Sequence, residues 1–152
     1  MTVFDGSASL QIYSDMLTAS DVSDALKIAP SFAAEKGETR THRHRGQTAT
    51  AISQDVHHHA IWTLEVDSND AAQLAAPDDT AGFASLILLT QRLSGKHEAL
   101  EELRHRGFQL YISWYGTAGR SQGGYVMPIE LIRDLASIRC NLFGNLYSPD
   151  DL

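Results

Sequence analysis

Five of the chain's seven histidines fall within residues 40–59, and histidine is the commonest side chain on a bound transition metal. If the flanking segments are extended, side chains alternate, so His42 and His44 share one face and His57 and His59 share another. Two such pairs on neighbouring strands would offer three or four imidazoles to Zn²⁺, Ni²⁺ or Fe²⁺. The same window holds Arg40, Arg43 and Arg45 and a single acid, Asp55, so a divalent cation would sit among like charges. The competing reading is a solvated, cationic loop.

Nucleophilic and phosphate chemistry have less to stand on. Ser113 lies inside a strand pattern, and Cys140 is the one cysteine, which excludes an internal disulfide and a cysteine-built zinc site. The run Gly119-Arg120-Ser121-Gln122-Gly123-Gly124 lacks the Lys followed by Ser or Thr of a phosphate loop and reads as a hairpin tip. Asp78-Asp79 and Glu101-Glu102 are sequence neighbours, which on a helix point in different directions and suit a solvated face. Trp62 and Trp114 sit between apolar neighbours in strands. Core packing is the default for both, and a ligand groove is the alternative.

Charge bounds the partners. The net charge is −7, and the arginine–histidine window holds three of the 12 basic residues and one of the 19 acids. The remainder therefore carries 9 basic residues against 18 acids, which repels nucleic acid and favours a cationic partner. The longest apolar run, Leu86-Ile87-Leu88-Leu89, is far short of the roughly 20 residues of a membrane span. Residues 1–5 lack the basic-then-apolar pattern of a secretory signal, so the expectation is a reducing cytoplasm.

The elements that must position these residues are legible from periodicity. A chain of 152 residues fits a single domain over 1–152, with its core at about 8–147, the loop region at 40–59 and a frayed tail at 148–152. Residues 8–14 alternate as a strand, and Thr18 or Ser20 caps a helix with Asp21 and Asp24 in its first turns. That helix ends before Pro30. Residues 31–47 read as a loop, 48–52 as a short strand and 60–66 as a firmer one. A periodic helix starts at Asp79 or Thr80 and carries Phe83, Leu86, Ile87 and Leu93, and Gly95 divides it from a segment carrying Leu100 and Leu103. Phe108, Leu110, Ile112 and Trp114 mark one face of the clearest strand, and residues 125–127 pair back onto it as a hairpin. Pro128 opens a helix with Ile129, Ile132, Leu135 and Ile138 on its face, and residues 140–147 form the last strand.

The order of these features resembles the bacterial family named domain of unknown function 4279. The resemblance rests on Leu26, Ile28, Pro30, Gly37, Glu38, Trp62, Gly107, Gly124 and Pro128, and spans about residues 8–147. Lys27 stands where that family usually has glycine, and the stretch 40–59 is longer than its pattern. The resemblance implies no catalytic residues. Relatives of that family occur beside toxin systems, which implies an immunity-type role.

Together these readings predict an α+β domain: a mixed, mostly antiparallel sheet of five or six strands with three or four helices packed on it. The expected function is a non-enzymatic binding module, of immunity type, that docks a cationic protein on Asp21, Asp24, Glu98, Glu101 and Glu102. The alternative is a metal-dependent or small-molecule-binding protein using His42, His44, His57 and His59, with a divalent metal as its cofactor. The oligomeric state is not fixed by the sequence.

Overall fold

The computed structural model describes residues 6–41, 54–74, 82–117 and 125–147. Its elements run β1 (Ser7–Ser14), α1 (Ala19–Leu26), β2 (Phe32–Ala34), β3 (Thr39–Thr41), β4 (Gln54–Val56), β5 (Ala60–Val66), α2 (Ala84–Arg92), α3 (His97–His105), β6 (Gln109–Thr117), α4 (Ile129–Ile138) and β7 (Asn141–Tyr147). Five strands make one mixed sheet in the order β2-β5-β1-β6-β7, and β3 pairs with β4 in a separate ribbon. All pairings are antiparallel except β6 with β7, which are parallel. Four helices and a five-stranded mixed sheet are the α+β architecture the sequence predicts. No helix among the described residues is long and apolar enough to cross a membrane.

Alternation decides which sheet face is covered. Ala8, Leu10 and Ile12 of β1, Trp62, Leu64 and Val66 of β5, and Ile112 and Trp114 of β6 are buried in one cluster. The helices bury against them Val22 and Leu26 of α1, Leu86 and Leu89 of α2, Leu100 and Leu103 of α3, and Leu131 and Ile138 of α4. All four helices therefore lie on one side, and the odd positions of β1 and β6 face the other.

Local chemistry sets the helix ends. Thr18 is the N-cap of α1, in a capping box with Asp21, and the Glu35 carboxylate accepts from the Ala19 and Ser20 N–H groups at 3.0 and 3.2 Å. Lys27 closes α1 in the left-handed region at φ 56°, donating its N–H to the Ser23 carbonyl at 2.9 Å. Glycine commonly fills this left-handed C-terminal position, and here a lysine does. Arg139 also closes α4 with left-handed backbone, at φ 58°, and donates its N–H to the Ala136 carbonyl at 3.2 Å.

Several expectations need correction. Residues 125–127 form no strand; β6 instead passes through α4 to β7, which returns parallel to it, as a crossover helix requires. The buried face of α4 is Leu131 and Ile138, while Ile129 and Ile132 are 54% and 45% exposed. The loop over 31–47 contains β2 and β3. Ser94 does not cap α3, which begins after Lys96 with no side-chain cap. The periodic helix begins later than Asp79 or Thr80, because Gly82 has φ 82° and Phe83 is the N-cap of α2, whereas the strand expected at 48–52 and the tail at 148–152 lie outside the described residues.

Candidate functional site

The face of the sheet opposite the helices, open in that no helix among the described residues covers it, is built by register. Across the strands it reads Ala34, Ile61, Tyr13 and Gln109 in one rung, then Phe32, Thr63, Gln11, Tyr111 and Asn141. The next rung is Glu65, Ser9, Ser113 and Phe143; then come Ser7, Tyr115 and Asn145, and finally Tyr147. Neither Lys nor Arg occurs in these rungs, and Glu65 is their one formal charge.

The central rung is low and its neighbours are tall. Ser9 and Ser113 are 8% and 3% exposed, small side chains between the larger Tyr111 and Tyr115 of the adjacent rungs. Tyr13 meets Tyr111 edge to face at 5.9 Å, and Tyr115 stacks on Tyr147 at 6.0 Å. The result is a band across the sheet, floored by serine, walled by two tyrosine pairs, with the Glu65 carboxylate at one end and the Phe143 ring at the other. The Tyr111 hydroxyl donates to Gln11 Oε1, and burial pushes the Tyr111 phenol above its ordinary pKa. Tyr111 is therefore a neutral, hydrogen-bonded wall at neutral pH.

The residues singled out from the sequence take other places. Trp62 is fully buried and its Nε1 donates to Ser23 Oγ at 3.0 Å, tying β5 to α1. Trp114 is buried too: it stacks on Phe83 at 4.8 Å and donates its Nε1–H to the Gly82 carbonyl at 3.2 Å. Both tryptophans are thus part of the helix-covered core.

Among the acids, the Asp21 carboxylate accepts from Thr18 N–H and Oγ1 at 3.1 and 2.9 Å and pairs with Arg106 at 3.2 Å. The Thr18 hydrogen bonds, helped by the Arg106 guanidinium, hold Asp21 below the usual carboxylate range. Glu101 pairs with Arg104 at 2.9 Å and reaches His105 and Arg139 at 3.6 and 3.9 Å. Asp21 and Glu101 thus stitch the helical layer together, while Asp24, Glu98 and Glu102 are exposed on it.

His42 and His44 lie outside the described residues. His57 is buried beside Phe32, with its backbone bonded to Gly37 and Glu38. The exposed His59 pairs through Nδ1 with Asp15 and lies 5.9 Å from the Tyr13 ring. The two histidines therefore have different neighbours. Among the described residues no group of three or more His, Cys, Asp or Glu side chains is placed to hold a metal ion. Cys140 is half-buried, and burial pushes its thiol up, away from the reactive thiolate form.

Residues 119–123 have the Gly-x-Ser-x-Gly spacing of a nucleophile elbow, but that motif needs a strand turning directly into a helix. Here β6 ends at Thr117 and α4 starts at Ile129, and Ser121 lies outside the described residues.

Sequence reasoning passed over the open face because it followed the apolar half of each strand. The signal was present: Tyr111, Ser113 and Tyr115 are the positions that alternate with Leu110, Ile112 and Trp114. The fold defines the chain as a two-layer α+β domain with helices on one side of its sheet. Compared with protein-family models, curated proteins and solved structures, the chain gives no match.

Proposed function

We propose that this protein is a non-enzymatic binding module that engages a cationic protein partner on its open sheet face. The observation that supports it is the composition and layout of that face. Tyrosine offers large contact area with two side-chain torsions to immobilise, and Ser, Asn and Gln adapt their hydrogen bonds, which is the chemistry of protein-recognising surfaces. Interface centres are likewise rich in aromatic residues and poor in charge. The carboxylate of Glu65 at one end of the serine floor suits a Lys or Arg from the partner, which the tyrosine faces also attract. A face with no Lys or Arg among its described residues, on a chain of net charge −7, argues against phosphate-rich ligands.

The resemblance to the domain of unknown function 4279 family, whose relatives occur beside toxin systems, favours the immunity-type version. In that version the module covers a basic toxin in the cytoplasm. Affinity capture from the host at low salt tests this reading. Wild type is run beside a Tyr111→Ala/Tyr115→Ala double variant, which should release a basic partner that wild type retains. Equal retention by the two would remove the open face as the site.

A further inference from the structure

We infer that β7 is the contact strand of a symmetric dimer, pairing antiparallel with β7 of a second copy so that the sheet continues across a two-fold axis. The sheet has two edges, and they differ. The β2 edge is three residues long and follows closely on Pro30, two devices that blunt an edge. The β7 edge, Asn141–Tyr147, is seven residues long and contains no Lys, Arg, Asp, Glu or Pro. All of its residues but Asn145 are exposed, and among the described residues no strand pairs on its outer side. A long, uncharged edge presents a row of backbone donors and acceptors as a template for another strand.

The self-complementary sequence of β7 points to a second copy as the occupant, and charge confines the contact to this strand. A two-fold contact sets each surface against itself, so like charges meet, and copies of a chain at −7 repel over most of their surface. A strand with no charge along its length is where that penalty is least. An axis through Gly144 sets Leu142 of one copy opposite Leu146 of the other, both on the helix-covered side of the sheet, where they pair with Ile112 and Gly116 of β6. It sets Phe143 opposite Asn145 on the open side, and Gly144 brings no side chain between the copies.

Leu142, Leu146, Phe143 and Tyr147 are 38%, 43%, 60% and 44% exposed, so each has apolar area left to bury. One strand and these four side chains stay below the roughly 800 Å² per partner of a standard interface, which makes the dimer dependent on concentration. This inference does not rest on the proposed partner.

Light scattering over a concentration series, on wild type, Leu146→Lys and Phe32→Lys, tests it. Leu146 is off the open face, so its substitution leaves the proposed partner site intact. Wild type and Phe32→Lys should pass from monomer to twice that mass as concentration rises, and Leu146→Lys should stay monomeric. An unchanged circular dichroism spectrum separates lost association from lost fold, and Leu142→Lys should behave as Leu146→Lys does. A wild-type monomer at every concentration overturns the inference. So does a dimer that survives both leucine substitutions, or one that Phe32→Lys also abolishes.

Discussion

Asp21 shows how little of a residue's role its type reveals. In the sequence it is an acid in a first helical turn, equally fit for a docking face or for a cap. In the fold it closes the capping box with Thr18 and reaches Arg106 beyond the end of α3. Both contacts favour the ionised form, so its folded pKa lies below its unfolded one. The stability this contributes is therefore present above the ordinary carboxylate value of 3.8, and is lost as pH falls through the depressed folded value. Urea midpoints of wild type and Asp21→Asn should differ at neutral pH in favour of wild type. The gap should close as pH drops below 3.8. A gap independent of pH would mean that the carboxylate's charge plays no part. Trp62 is the opposite case. Its type and its apolar neighbours announce a core residue, and only the Nε1 bond to Ser23 required the structure.

At the scale of elements, legibility followed periodicity. β1, β5, β6 and the buried faces of α2 and α3 were readable because each runs for at least two periods of its own pattern. β2, β3 and β4 were not, because three residues hold too little alternation to separate from a loop. The hairpin expected at residues 125–127 failed for another reason: pairing is a long-range property, and the chain's return to β6 is made by β7 after a helix. The open face shares that fate. Its tyrosines alternate visibly along β6, but which residues stand beside Ser9 and Ser113 depends on register between strands 100 residues apart, as the Gln11–Tyr111 bond illustrates.

The helix ends give a direct test of local strain. Lys27 and Arg139 hold left-handed backbone that costs an L-residue about 1 kcal/mol relative to glycine. Lys27→Gly should therefore stabilise the protein by roughly 0.5–1 kcal/mol, raising the thermal midpoint by a few degrees. A lower midpoint would show that the Lys27 side chain contributes more than its backbone costs.

On the scale of the whole molecule, two kinds of surface are separated by the sheet. The helical layer carries exposed Asp24, Glu98 and Glu102, whereas the open face carries tyrosine, serine and amides with Glu65 as its one charge. Charges that stay solvated steer encounter, and buried aromatic contacts hold the complex once it forms, so the two surfaces should act on different rate constants. With the cationic partner in hand, an Asp24→Lys/Glu98→Lys/Glu102→Lys variant should associate more slowly than wild type, lose much of wild type's salt dependence, and dissociate at nearly the same rate. Tyr115→Ala should dissociate faster by tenfold or more, with association nearly unchanged, because truncating an aromatic anchor commonly costs more than about 1.4 kcal/mol, a factor of ten. Association and dissociation traces at two ionic strengths distinguish the pair. If the triple lysine variant instead dissociated faster and Tyr115→Ala bound as wild type does, the partner would dock on the helical layer. The acids read from the sequence, rather than the tyrosines placed by the fold, would then form the contact.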